Sequence, residues 1–465
     1  MRIHECRVSA IRLLVGVALV AGARAQESPR DLARTVLRDL IEINTTDSVG
    51  DNTAAAEAMA RRFRDAGFDA GDVEVVVPAP KKGNVIVRLR GTGMGRPVVF
   101  LAHLDVVEAK REDWTTDPFK LIEKDGYFYG RGTQDIKGDA ALLVTNMIRL
   151  KREGYRPERD IIVALTADEE GGRGPNGVAW LLNNRRSLID AEFCVNTDAG
   201  GGQAENGKRI LYSVQAAEKG YLSFVLTAKN PGGHSSLPVK ENAIYDLAAA
   251  LLRVRDLRFP VQLNDVTRSY FERTAALKQG REAADRRAVA SVPPDESAAA
   301  RLSQSPYENA LLHTTCVATL LSGGHADNAL PQTAEATVNC RTLPGTSLEE
   351  VETRLREAVG AGIGVRVKYP LQPNPPSPPP PAVMERLEQT VHSMWPGLAV
   401  VPVMETGGTD GKALRAAGIP TYGIAQMFYD MDDVRAHGQD ERIRASYFYE
   451  GLEFGYRLMK AMSAR

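Results

Sequence analysis

The segment Val98 to Asp105, Val-Val-Phe-Leu-Ala-His-Leu-Asp, ends an apolar, strand-like run in a His-x-Asp pair. Side chains alternate along a strand, so His103 and Asp105 leave its end on the same side. A metal-binding imidazole needs an acceptor for its second nitrogen, and a carboxylate two residues on supplies one. A second apolar run, Ile161 to Thr166, ends in the acids Asp168, Glu169 and Glu170. Three adjacent carboxylates repel one another unless solvent or a cation relieves them.

Asp135 stands in a Gly-rich turn, Gly130-Arg131-Gly132-Thr133-Gln134-Asp135, ahead of a helical pattern, and Asp198 follows the apolar Phe193 to Thr197. His437 comes after the acid-rich Asp430 to Asp433. Each has an ordinary alternative: a satisfied core histidine, a solvated loop acid, a helix cap. Together, five nitrogen and oxygen donors at the ends of strand-like segments suit a paired metal site with one shared carboxylate.

This set resembles the M20 family of metallopeptidases, which includes aminoacylase, carboxypeptidase and dipeptidase members, and the resemblance spans essentially the whole chain after its first residues. It implies two Zn2+ per subunit, with Co2+ or Mn2+ as replacements. One would be held by His103, Asp135 and Asp198, the other by Asp135, Glu170 and His437. Asp105 would orient His103, Glu169 would act as general base, and the peptide bond after Asp135 would be cis.

Further matches extend the resemblance. Gly232-Gly233-His234-Ser235 resembles the loop whose histidine stabilises the oxyanion, commonly from the other subunit of a dimer. Asn328, in Ala326-Asp327-Asn328-Ala329, and Arg341, in Asn339-Cys340-Arg341, resemble substrate-binding positions, the arginine gripping a free carboxylate. Gly408, in Gly407-Gly408-Thr409-Asp410, matches a turn whose bare backbone approaches substrate. The implied activity is hydrolysis of an amide bond beside a free carboxylate, in dipeptides or N-acyl amino acids. The alternatives are a biosynthetic deacylase of the succinyl-diaminopimelate or acetylornithine type and a non-catalytic peptide-binding protein. Export speaks against the first, and an intact ligand set against the second.

The elements that must position these residues alternate between short apolar runs and helical patterns up to about residue 217, which predicts a mixed, mainly parallel sheet covered by helices, an α/β fold. From Tyr221 the order becomes β-α-β-β-α-β, a ferredoxin-like α+β unit. A charged, Ala-rich stretch, Asp256 to Ser305, interrupts it, with a composition suited to exposed helices or to disorder. Gln372 to Pro381 is Pro-rich and is expected to be a stiff, extended return. The expected domains are a catalytic one, 26–217 with 372–465, and an inserted lid and dimerisation domain, 218–371, on two crossing strands.

Composition fits this frame. Formal net charge is -1, with 58 basic and 59 acidic residues, so no global field favours nucleic acid as a partner. Arg2, Arg7 and Arg12, the apolar run Leu13 to Ala21 and Ala23-Arg24-Ala25 read as a cleavable signal peptide, residues 1–25. That run is too short for a stable membrane anchor. The expectation is a secreted or periplasmic protein. Beyond the leader, Cys194, Cys316 and Cys340 are odd in number, so buried free thiols are expected, with one Cys316–Cys340 bridge as the alternative.

Overall fold

The computed structural model describes residues 27–171 and 174–464; the expected signal peptide, residues 1–25, lies outside them. Among the described residues no helix is long and apolar enough to cross a membrane.

The strands Val98–His103 and Ile161–Thr166 are buried at every position, as apolar runs covered on both faces must be. They pair parallel from Val98↔Ile161 to His103↔Thr166, so both end level. Phe193–Asn196 joins the other side of Val98–His103, also parallel, with Leu101 opposite Asn196. Three neighbouring strands therefore deliver His103, the acids 168–170 and Asp198 at one carboxyl edge, where open α/β sheets bind ligands. They belong to a 10-stranded sheet of mixed direction. The helices Pro29–Glu42, Lys137–Arg152 and Ala445–Ser463 pack together over it in one core with Phe100, Val163 and Val195.

A second sheet holds Thr315–Gly323, Thr333–Thr342, Gly220–Lys229 and Ile363–Tyr369, in that order and antiparallel throughout. Helices Ala243–Asp256 and Leu348–Val359 bury Leu247, Val254, Val351 and Leu355 against it in a separate core. The β-α-β-β-α-β order is as expected. The Pro-rich return runs without regular structure to Pro380, but Pro381 opens the helix Pro381–Met394, the first position at which a helix needs no N–H from proline.

Two expectations need correction. The insertion is helical, as its composition suggests, and not disordered, but its helices are not simply exposed. Its helices Asp265–Ala275, Gly280–Val289, Glu296–Leu302 and Pro306–Leu312 bury Val266, Phe271 and Val289 against Leu211, Val401 and Val403 of the large sheet. The chain thus passes between the two sheets four times rather than twice: at Glu218–Gly220, after Asp256, at Leu312–Thr315 and after Tyr369. The Ala-rich, charged composition concealed this because the residues that carry the contact, among them Val266, Tyr270, Phe271, Val289 and Leu302, are spread over separate short helices.

The second correction is that Cys316 and Cys340 are bonded, 24 residues apart in sequence and directly opposite on neighbouring strands, while Cys194 is free and buried. Under denaturing conditions the mature protein should show one reactive thiol before reduction and three after. Replacing the bonded pair by serines should cost about 2–4 kcal/mol in denaturant unfolding. Three free thiols without reductant would refute the bond.

Candidate metal centre and active site

His103 is buried, and its Nε2 lies 3.1 Å from Asp135 Oδ1 and 3.5 Å from Asp198 Oδ1. His437 Nε2 lies 3.1 Å from Asp135 Oδ2 and 3.1 Å from Glu170 Oε1. Two triads result, His103–Asp135–Asp198 and Asp135–Glu170–His437, and within each the donor atoms lie within 4.8 Å of one another. Asp135 belongs to both and turns one oxygen to each histidine. Imidazole nitrogens and carboxylate oxygens at this spacing form a donor set suited to Zn2+, Co2+ or Mn2+.

Electrostatics point the same way. Burial, and next the charge of Asp198, push the Glu169 carboxyl well above its ordinary range. Burial pushes Asp198 up to about 7 against the opposing pull of His103. His437 rises to about 10 because Asp135 and Glu170 hydrogen-bond its ring. Burial works against a charged His103, but Asp198 and Asp135 outweigh it and hold the imidazole well above its usual value. Acids crowded in a buried site thus attract positive charge wherever a group can supply it, and divalent cations would compete with those protons.

Asp105 serves this cluster through atoms other than those expected. The Nδ1 of His103 bonds the main-chain carbonyl of Asp105 at 3.0 Å, while the carboxylate stands 3.7 Å away. That carboxylate instead accepts the N–H groups of Glu169 and Glu170, at 3.2 and 3.0 Å. One residue so fixes both the imidazole and the acidic turn. Among the described residues no hydrogen bond or ion pair engages the Glu169 carboxylate. The bond between Asp135 and Ile136 is cis.

Glu441 escaped the sequence reading. Its fully buried carboxylate accepts Arg131 Nη1 at 2.6 Å and the N–H groups of Gly132, Gln134 and Asp135 at 3.0, 2.7 and 3.1 Å. The Gly-rich loop that presents Asp135 is therefore wound around an acid 306 residues further on. The only signal was an acid four residues after His437, close enough to share its loop. Lys137 was missed too; it is fully buried, donates to the Ile43 carbonyl at 3.0 Å, and is pushed down to about 7 by burial.

Among the described residues no hydrogen bond or ion pair joins the other expected residues to the cluster. His234 and Asn328 are exposed neighbours: His234 pairs with Ala329, and Ser235 N–H donates to the Asn328 carbonyl at 3.0 Å. Arg341 stands over the Tyr221 ring at 4.8 Å. Gly408 is exposed, next to Thr409, whose N–H and hydroxyl donate to Glu218 at 2.9 and 3.1 Å.

Residues 99–461 match the family described as Peptidase family M20/M25/M40. The chain belongs to this family. Its relatives include the human N-fatty-acyl-amino acid synthase/hydrolase PM20D1, 29% identical over 378 residues, covering 78% of this chain and 74% of that protein. Aminoacylase-1 of Pongo abelii is 26% identical over 443 residues, covering 92% and 95% of the two chains. The M20 metallo-carboxypeptidase Sso-CP2 from Sulfolobus solfataricus shares the fold with a TM-score of 0.68 at 15% identity, over 93% of this chain and 99% of that one. The protein is thus a hydrolase of the peptidase and aminoacylase type, from a metal-dependent family.

Replacing Glu441 by alanine should cost about 3–5 kcal/mol, the range for breaking one side of a buried ion pair. It should also weaken metal retention, since Asp135 loses the anchor of its own loop. Unfolding and metal analysis on one preparation would check both; unchanged values would show that the loop holds itself.

Proposed function

We propose that this protein is an exported di-zinc hydrolase that cleaves the amide bond of N-acyl amino acids or dipeptides beside a free carboxylate. The observation that carries this reading is the pair of donor triads sharing Asp135. His103, Asp135 and Asp198 would hold one Zn2+, and Asp135, Glu170 and His437 the other. When bound, such ions act as Lewis acids that make water easier to deprotonate and a carbonyl easier to attack.

The chain's own residues do the rest. Glu169, uncoordinated and raised in proton affinity, takes a proton from the attacking water and passes it to the leaving nitrogen as the C–N bond breaks. Asp105 keeps Glu169 in reach through the N–H bonds to its turn. Arg341 holds the substrate carboxylate with its planar fork. His234, with Asn328 beside it, donates to the carbonyl oxygen as negative charge develops there.

The lid, residues 218–371, would form a homodimer so that His234 serves the partner's site. Its strand Thr315–Gly323 is a sheet edge carrying Val317, Leu320 and Leu321 at 60%, 60% and 70% exposure, an apolar strand that calls for cover. The Cys316–Cys340 bond suits an oxidising compartment and so supports export.

Substitutions separate the roles. Glu169→Gln should keep its metal and lose turnover by at least about 10², whereas Glu170→Ala should lose affinity for one ion and Asp135→Ala for both. Metal analysis and rates on N-acyl amino acids test this; full turnover in Glu169→Gln would remove the base.

Mixing His234→Ala with Glu169→Gln tests the dimer. Subunit exchange should restore activity, because each heterodimer then carries one site with both groups. If exchange is demonstrated and activity stays absent, His234 acts within its own chain.

A further inference from the structure

Lys219 lies at the first crossing between the two sheets, and only 2% of it is exposed. Its ammonium donates to the His313 carbonyl at 2.7 Å and to the Thr315 hydroxyl at 3.2 Å, both on the third crossing. Both acceptors are neutral. Among the described residues no carboxylate pairs with Lys219.

The charge that acts on it is another cation, Arg341. Arg341 is the register neighbour of both Thr315 and Tyr221, so the three side chains rise from one face of the small sheet. Cys340 turns to the opposite, core-facing side. The guanidinium covers Tyr221 and, among the described residues, also lacks a carboxylate partner. The Lys219 ammonium therefore rests on the hydroxyl of the residue directly beside Arg341.

Buried charges are ordinarily paired, or else they shed their charge. Lys219 takes the second course: burial, and next the positive charge of Arg341, push it down to about 7. Other ionisable groups around it look elsewhere. Glu218 turns its carboxylate to Arg415 and Thr409, and the His313 ring faces the Phe259 carbonyl and Ser303. When Lys219 is protonated, it and Arg341 are two neighbouring cations for which the described residues supply no carboxylate, so an anion from outside the chain would complement them.

We infer that Lys219 and Arg341 together form the subsite for the substrate's free carboxylate, with Lys219 a specificity-determining residue. Anion arrival favours the ammonium form, so binding a carboxylate takes up one proton from solvent at Lys219 and breaks no bond. This rests on the reading of the protein as an amidohydrolase acting beside a carboxylate. Below about pH 7 the ammonium is already formed; above it, each carboxylate must bring the proton in, and acids bind progressively less well.

The test compares N-acetyl-L-leucine with its carboxamide on the metal-loaded enzyme between pH 6 and 9. In wild type, KM for the acid should rise above about pH 7 while KM for the amide does not follow it. Lys219→Met should lower the ratio of kcat/KM for acid over amide at least tenfold, and Lys219→Arg should keep the acid preference but lose the alkaline rise. Proportional losses on both substrates would mark Lys219 as a structural tie and overturn the proposal. So would a wild-type acid KM that is flat with pH, a result that needs no variant to fold. Should neither compound be hydrolysed, the activity reading fails, and thermal protection still tests the subsite. N-acetyl-L-leucine should then raise the melting temperature more than the carboxamide at pH 6.5, and by less at pH 8.5; equal protection by acid and amide overturns the subsite.

Discussion

Asp135 gives one oxygen to His103 and the other to His437, two residues separated by most of the chain. Everything else in the active region serves that arrangement. Sharing a carboxylate brings Asp198 and Glu170 into the same small volume, where like charges would drive them apart. The scaffold opposes this with rigid parts: a fully buried strand under His103, a helix starting two residues after Asp135, and the Glu441 carboxylate at the centre of the Gly-rich loop.

Asp105 and Glu441 use the same device at different places. Each is a buried carboxylate that accepts main-chain N–H groups from a loop bearing candidate site acids, and so fixes the loop rather than the acid side chain. A carboxylate that satisfies several N–H groups makes an irregular turn as costly to distort as a helix end. Functional acids can then sit on turns, where sheets present ligands, without the looseness of ordinary loops.

The insertion changes how the lid relates to this centre. A domain joined by two strands can swing about them; one joined by four crossings, with Phe271 and Val289 buried against the large sheet, has fewer independent ways to move. Lys219 ties two of those crossings together at the place where Arg341 stands. The sheet that carries Arg341 is thereby coupled to the sheet that carries the candidate metal ligands through buried contacts, not only through covalent links.

The amino-acid sequence determined the candidate site residues and the order of the elements. His103, Asp135, Glu169, Glu170 and Asp198 could be singled out because each follows or opens an apolar or helical segment, a local property, whereas His437 stood out only after the acid-rich Asp430 to Asp433 and through the family resemblance. The β-α-β-β-α-β order was legible from the same local property. Tertiary structure alone decided what depends on partners distant in sequence. Glu441 inside the Asp135 loop, the Asp105 carboxylate on the N–H groups of residues 169 and 170, the Cys316–Cys340 bond and the docking of the insertion all join positions whose nearness no local pattern encodes. Alternation along a strand shows which face a side chain takes, but only the pairing of strands and the packing of their ends decides which hydrogen-bond donor it meets there.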